Sequence, residues 1–574
     1  MRFIMIATMA ASAFMASAQW STTPLDIVPQ GTRVYEIKSA TAPEGLTWSV
    51  LSSPTTAPEA QIVTYRHAVQ AFDAMGNRIF SPEGLTFASE PGLSYTLENQ
   101  LLLVDHDGNA IAVSPDCRHF NPSLGLLTYN IYKISPDGEM LWGDDGVSID
   151  RGIGHTLDAS MRIVQSPTTG NYIFAWTHTV PSGNTVIEMQ QLDADGTPLW
   201  DSASMRITDS DGVQYPYLVN STDGDIILIY ARGKHLDLYA RRIDRDGNAV
   251  WGEDVCIYNG GWNRTPLWTK LDIRTSGDGG VIASWDDDRD KDMRESVYVT
   301  YLTSDGKLGF TATSADGGVR VSSTDYDAFH SHVLPTSDGN GFIALWNETD
   351  ASQNYHSLRA QRLDKTGRAV WDEEPVELTP MVRMDISEAV PAYADGNDMA
   401  LFYTEEELWG TGDKHIYVQL FDQSTGAATT QSGRFALRVS SQSISGLSVD
   451  NVADSKCWIA SWKEGDTNSE SVQYLVQRLN HDLTFQRPTA IAAVSGGNDN
   501  PMRYEEGCLV INGLTGTHVT VTLRDMQGRT VTTLLDGIIP QEGTVLPLRG
   551  IVPGIYTATL ATPDRQHTLK LAIR

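Results

Sequence analysis

Cysteine is scarce in this chain: Cys117, Cys256, Cys457 and Cys508 are all there is over 574 positions. They form no CxxC and no Cys/His pair at metal-ligand spacing, so neither a disulfide framework nor a zinc site is implied. They read as small buried apolar side chains, with one bridge between neighbouring repeats left open in an oxidising compartment. After the N-terminus there is no apolar run of about eighteen residues, which excludes a conventional helical membrane span. Long amphipathic stretches of period 3.6 are also missing, which argues against a helical fold. Positive charge is short, with 42 Lys and Arg against 72 Asp and Glu for a net charge of −30. A phosphate backbone or an anionic bilayer would be repelled, which excludes nucleic acid as a partner and leaves neutral, cationic or metal-bridged ones. HExxH, GxSxG, a Walker loop and the Ser-x-Asp-x-Gly-x-Thr-Trp boxes of sialidases are absent too.

What the chain does contain is 41% hydrophobic residues, 49 Gly and 14 Trp, a composition suited to short strands joined by tight turns. The expected fold class is all-β, with more than one folding unit at this length. Arg2, the apolar run Phe3 to Met15 and the small triplet Ala16-Ser17-Ala18 before Gln19 match a secretory signal peptide over 1–18, cut between Ala18 and Gln19.

Self-similarity with an imperfect period of 50–60 residues runs to about residue 488. Its clearest mark is a hairpin turn with Gly at 76, 138, 196, 247, 306, 367 and 426, as in LDADGTPLW and IDRDGNAVW, with LNHDLTFQ at 479–486 as a degenerate eighth copy. Gly supplies the positive φ of a tight hairpin, and the preceding Asp can accept from local amides. An aromatic residue four positions after the Gly, Trp142, Trp200, Trp251, Trp371, Phe80 or Phe310, is expected to pack between adjacent sheets. A second mark, a Gly turn before an apolar strand such as TGNYIFAW or DGGVIASW, is lacking its Gly in the eighth unit, SKCWIASW. Together the two marks give four strands per unit, the size of one propeller blade. The expected architecture over 19–488 is an eight-bladed β-propeller, or seven-bladed if the terminal units share a blade. LDKTGRAVW is similar to the repeat of the pyrroloquinoline-quinone-type propellers, over some nine residues per repeat. That likeness implies blade architecture and carries no quinone with it.

After a polar linker at 489–500, the segment 501–574 holds seven Lys and Arg against six Asp and Glu, so the negative excess lies in the first 500 residues. VTVTLRDMQGRTV, LPLRGIVPGIYTATL and HTLKLAIR each alternate as strands do, and a small immunoglobulin-like β-sandwich is expected. A strand ending in D-x-x-G-R, a later G-I-Y and a terminal K-L-x-I-R resemble the type IX secretion sorting domain, type A. The matching positions are Asp525, Gly528, Arg529, Gly554, Ile555, Tyr556, Lys570, Leu571, Ile573 and Arg574. The stretch LRGIVPGIY departs from that family, which more often has a shorter polar segment there. The resemblance implies recognition by an outer-membrane translocon after passage through the periplasm, and a final location that is secreted or on the outer cell surface.

Candidate chemistry is sparse. Asp286, Asp288 and Asp290 fall in the run Trp285 to Asp292, where hard oxygen ligands on a loop would suit calcium as a cofactor. A self-solvated acidic loop is the simpler reading. His330 and His332 at i, i+2 would share one strand face, a geometry open to a transition metal but without an evident third ligand. Trp176, Tyr230, Trp285, Trp346, Tyr403 and Trp462 would stack sugars if they reached the rim, or more simply pack between blades. The preferred reading is a non-enzymatic propeller that binds a glycan, peptide or protein across one face. The alternatives are an extracellular polysaccharide hydrolase or lyase, which close carboxylates of shifted pKa would favour, and a structural adhesion or motility component.

Overall fold

The computed structural model describes residues 20–34, 36–55, 64–88, 102–121, 126–148, 161–180, 182–200, 206–259, 271–291, 293–311, 317–372, 374–408, 410, 412–430, 433–485, 501–505, 508–512, 514–524, 530–539, 544–548, 551, 554–562 and 566–573. The predicted signal peptide and the Ala18/Gln19 cut lie outside these residues. The chain divides into two compact units, the first ending at Phe485.

The first unit is a β-propeller. Among its described residues there are eight antiparallel four-stranded sheets. In chain order we number them first (36–86), second (102–148), third (161–207), fourth (213–258), fifth (272–320), sixth (327–377), seventh (384–440) and eighth (444–480). The first seven take all four strands from consecutive sequence, whereas the eighth is completed by the N-terminal strand Leu25–Asp26 on Gln473–Asn480. First strands adjoin first strands from the third sheet round through the eighth to the second, so these are the inner strands.

Second strands such as Val281–Asp287 and Gly341–Thr349 are buried at every position, because consecutive side chains face two different neighbouring sheets. This explains why they read as unbroken apolar runs rather than alternating ones. Ile282 thus packs toward the sixth sheet while Trp285 packs toward the fourth. Every pair of neighbouring sheets shares such an apolar cluster, ending with the one that joins the eighth to the first through Trp20, Phe72, Ile459 and Val476. Ring closure leaves no pair of sheet faces to water.

The predicted hairpins lie between third and fourth strands, and their seven glycines have φ between 72° and 89°. Each aromatic four positions later lies on the turn of the next sheet. The indole N–H of Trp142 donates to Ala194 O at 3.0 Å, that of Trp200 to Arg245 O at 3.0 Å, that of Trp251 to Ser304 O at 3.2 Å and that of Trp371 to Gln423 O at 3.2 Å. A Cβ on Gly196 would sit 2.9 Å from Trp142 Cγ, so the close approach of ring to backbone requires Gly there. The first hairpin receives Trp20 from the N-terminus, donating to Ala74 O at 3.2 Å.

Among its described residues the second unit contains a three-stranded sheet (Met502–Glu505, Cys508–Ile511, Thr544–Pro547) and a four-stranded one in the order Thr530–Ile538, His518–Arg524, Gly554–Ala561, Gln566–Ile573. Alternation sends Val519, Val521 and Leu523 into one core with Leu509, Ile511 and Leu546 of the other sheet.

Candidate functional site

The inner strands are bulged in the fourth, sixth, seventh and eighth sheets, where the register slips between Gln214 and Tyr217, Phe329 and His332, Ser387 and Val390, and Ser445 and Ser448. The left-handed residue at each bulge is Tyr215, His330, Glu388 or Gly446. A bulge takes main-chain groups out of the ladder, and here the preceding sheet supplies partners for them. Thr177 Oγ1 accepts from Tyr215 N at 3.1 Å, Asn347 Nδ2 donates to Ile386 O at 2.7 Å, and Glu388 accepts from Gly446 N and Leu447 N at 2.9 and 2.7 Å. At the sixth sheet the partner is Asp286, whose carboxyl meets the main-chain amides of His330 and Ser331.

Asp286 is the centre of an acidic junction between the fifth and sixth sheets. Burial pushes its carboxyl up to about 8, and the nearby charge of Glu295 adds to the rise. Glu295 itself is pushed up to about 7 by burial and by Asp327, Asp287 and Asp288. Glu295 N donates to Asp327 Oδ1 at 2.6 Å, which holds the loop before the third strand against the start of the sixth sheet. On the neighbouring inner strand Asp272 is half-buried, but His332, Arg274 and the Val333 amide outweigh the desolvation and draw it down to about 2. Perturbed carboxyls of this kind mark candidate sites because one can hold a proton at neutral pH while its neighbour does not.

Two residues after the second-strand aromatic stands an acid in four sheets. The Trp285 indole donates to Asp287 Oδ2 at 3.1 Å, Trp346 to Glu348 Oε1 at 2.8 Å and Trp462 to Glu464 Oε1 at 2.9 Å. Arginine completes each set: Arg289 on Asp287 at 2.7 Å, Arg359 on Glu348 at 3.2 Å and Arg438 on Glu464 at 2.5 Å. In the seventh sheet, Glu405 follows Tyr403 and meets Arg434 at 2.7 Å. All six aromatics named from the sequence are buried between sheets, so their ring faces are packing surface.

A groove of about 490 Å³ opens on the outer strands of the fourth sheet, lined by Arg232, Tyr239, Arg241, Trp251, Glu253 and Asp254 among others. Its polar groups are fixed by one another. Asp254 takes Arg241 Nε and Nη2 at 2.5 and 2.7 Å and the Tyr230 hydroxyl at 2.5 Å. Burial opposes the charge on Asp254, yet Arg241 and Tyr230 hold its carboxyl below the usual range. Arg232 lies 4.8 Å from the Tyr239 ring centroid and pairs with Asp209 at 2.8 Å.

The three candidate calcium ligands do not meet at one point. Asp286 is strand residue and buried, Asp288 Oδ2 accepts from Met293 N at 3.2 Å, and Asp290 pairs with Arg320 at 2.9 Å. Among the described residues no group of three or more His, Cys, Asp or Glu is arranged to hold a metal ion. The expectation that His330 and His332 share a strand face is overturned by the bulge between them: His330 is exposed at φ 54°, while His332 is buried beside Asp272 with Nδ1 at 3.4 Å. Cys256, Cys457 and Cys508 are free thiols. Of the sorting-motif positions, Tyr556, Leu571 and Ile573 enter the core of the second unit, Gly554 and Ile555 are half-buried, and Lys570 is exposed. Asp525, Gly528, Arg529 and Arg574 lie outside the described residues.

Sequence reasoning missed Glu295, Asp272 and Asp327, because their proximity is set by neighbouring sheets. It also missed the groove. The repeated acid two places after the aromatic was visible in WDD, WNE, YTE and WKE and would have located the arginine clamps.

Among the described residues no helix is long and apolar enough to cross a membrane. No family model matches the chain, and no curated protein matches it. Among solved structures, the Dos1 propeller is similar at 10% identity, with 79% of this chain and 94% of that one covered and a TM-score of 0.40. The polysaccharide lyase Uly1 is similar at 10% identity, covering 71% and 93% with a TM-score of 0.37. An endo-arabinase from Bacteroides thetaiotaomicron is similar at 9% identity, covering 46% and 93% with a TM-score of 0.30. Likenesses this distant leave the chemistry of this chain to its own residues.

Proposed function

We propose that this chain is an eight-bladed propeller that binds an extracellular glycan, with the fourth-sheet groove as its contact surface, and that its C-terminal unit is an immunoglobulin-like type IX sorting domain recognised by an outer-membrane translocon. The observation that carries the binding reading is the groove's prebuilt polar set. Arg241 and Asp254 line it and are already locked together, with the buried Tyr230 hydroxyl behind Asp254, so a polyhydroxylated ligand meets fixed donors and acceptors with little ordering cost. Eight sheets with a closed circle of shared cores support the blade count, although the terminal segments do share a sheet as a seven-bladed ring would have had it.

The hydrolase or lyase reading has one specific observation in its favour, the raised carboxyls of Asp286 and Glu295. Asp286 is 3% exposed and its carboxyl is occupied by the main-chain amides of His330 and Ser331, which suits a structural role better than attack on a substrate.

Titration of the purified full chain and of an Arg241→Ala/Glu253→Ala variant against a panel of defined neutral and acidic polysaccharides tests the binding reading. Binding by the full chain and at least tenfold loss in the variant is expected. Release of new reducing or unsaturated ends, unaffected by the variant and abolished by Glu295→Gln, would replace binding with catalysis. Export is tested separately, by fractionating cells that make the full chain or one truncated after Val494. Export of both alike removes the sorting assignment.

A further inference from the structure

Alternation at each outer hairpin turns the aromatic inward and the residue before it outward, and a polar side chain is the ordinary choice for the outward place. In this propeller it is aliphatic in five sheets, Ile79, Leu141, Leu199, Val250 and Val370 in the first, second, third, fourth and sixth, while the fifth has Gly309 there and an aliphatic, Leu308, one place earlier. All six are between 36% and 48% exposed. The sites are rigid and alike. Ile79 N donates to Ala71 O, Leu141 N to Lys133 O, Leu199 N to Gln191 O, Val250 N to Arg242 O and Val370 N to Arg362 O, at 2.8–2.9 Å. Each aliphatic stands next to, or in the fifth sheet two places before, the aromatic stapled to the following turn, so the six follow one another from sheet to sheet. The seventh sheet has Thr429 at this place, which makes the feature an arc over six consecutive sheets.

Acidic residues border the arc. Asp144 and Asp145 follow Trp142, and Asp372 and Glu374 follow Trp371, all of them exposed. Of the basic residues on these hairpins, Lys365 pairs with Asp278 at 2.6 Å, Arg78 donates to the Asp26 carbonyl and Lys307 pairs with Asp305, while Arg245 and Arg368 are exposed. On a chain of net charge −30 the border disfavours a second copy or an anionic bilayer as the occupant.

We propose that the six-sheet aliphatic arc is a docking surface for an extended protein partner that interleaves cationic and apolar side chains. Charge complementarity selects the cation, and five repeated apolar points held in one geometry, with Leu308 among them in the fifth sheet, select an elongated contact rather than a pocket-filling one. In the fourth sheet the arc adjoins the groove, since Val250 lies between the groove residues Ala249 and Trp251, whereas its other five points lie on other sheets.

The probe is a pair of synthetic peptides of equal length and charge, one alternating Lys and Leu, the other alternating Lys and Ser, titrated into the full chain by fluorescence anisotropy. The Lys-Leu peptide is expected to bind at least tenfold more tightly than the Lys-Ser peptide. In Leu141→Ser/Leu199→Ser/Val250→Ser/Val370→Ser that preference is expected to collapse to within about twofold. Neutralising Asp144, Asp145, Asp372 and Glu374 to their amides should weaken both peptides alike. Should the fourfold variant melt lower than the natural chain, Leu199→Ser alone is expected to reduce the preference two- to threefold at unchanged melting temperature. An undiminished preference in the serine variants overturns the proposal, and so does self-association of the natural chain in sedimentation that the serine variant abolishes, since the occupant would then be a second copy.

Discussion

The first seven sheets and the eighth solve the same problem with different residues. In the first seven, glycine takes the left-handed position of both turns, at Gly45 and Gly76 in the first sheet and Gly396 and Gly426 in the seventh. In the eighth, Lys456 (φ 47°) and Leu483 (φ 61°) take those positions. A side chain in that region costs roughly 1–2 kcal/mol, which contacts must offset. Leu483 packs with Phe485 on the core shared by the seventh and eighth sheets. Lys456 Nζ meets Asp395 Oδ2 at 2.9 Å, and His481, on the Trp458 ring, meets the other oxygen at 2.7 Å. The comparison teaches that a turn loses its need for glycine where long-range contacts hold it. The eighth sheet is also where both ends of the propeller segment meet, so its local sequence is freest and its tertiary constraint is strongest.

The sharpest way to break the comparison is to remove Trp20. It is buried, caps the first hairpin and anchors the strand that completes the eighth sheet. Trp20→Ala and Trp142→Ala should each cost about 3–5 kcal/mol in stability. Only Trp20→Ala should also free the segment before Val34, read by limited proteolysis with N-terminal sequencing. Equal protection of that segment in both variants contradicts the closing role. Next in size is the close approach at Gly196, where an added Cβ meets Trp142 Cγ at 2.9 Å, whereas one on Gly183 meets nothing within 4 Å. Both glycines are left-handed, so Gly183→Ala should cost about 1 kcal/mol and Gly196→Ala about twice that, measured by denaturant unfolding.

Proton linkage separates the acidic junction from the ordinary sheets. An unfolded Asp releases its proton near about 4, but folded Asp286 holds it to about 8. Between those values the folded state binds the extra proton, so stability falls as pH rises. Glu295, raised to about 7, acts in the same direction. Asp272 does the opposite: lowered to about 2, it contributes stability above the unfolded carboxylate range that is lost as pH falls toward 2. Asp286→Asn should therefore flatten the decline in melting temperature from pH 5 to 8 while leaving the acid limb in place. An unchanged slope in a pH series of thermal melts would falsify the assignment of that proton to Asp286.

The sequence made the repeat legible because turn chemistry and aromatic spacing are local: the glycines and the aromatics four residues on were readable without coordinates. Burial of the second strands was legible too, as unbroken apolar runs. The His330–His332 pair was misjudged because a bulge is invisible to a period-two rule. The acidic junction escaped because Glu295, Asp327 and Asp272 reach it from a loop and two inner strands, and loops of a propeller are juxtaposed by ring closure, which no local pattern encodes.

The smallest effect offers the finest test of the comparison, because two sites can exchange residues. Gly45 holds in the first sheet the place that Lys456 holds in the eighth, and a Cβ there would lie 3.4 Å from Ala74 Cβ, an ordinary contact. Gly45→Lys should therefore cost only the conformational penalty, about 1 kcal/mol. Lys456→Gly removes that penalty but also removes the ion pair with Asp395, which is exposed and worth about 0–1 kcal/mol. In the natural chain the two changes should nearly cancel. In an Asp395→Asn background the pair is already gone, and Lys456→Gly should stabilise by about 0.5 kcal/mol, less than the full penalty because glycine also loosens the unfolded chain. A double-mutant cycle on Lys456 and Asp395 reads the difference directly. A coupling energy of zero would mean that the eighth sheet tolerates its left-handed lysine for the sake of His481 and the packed core alone.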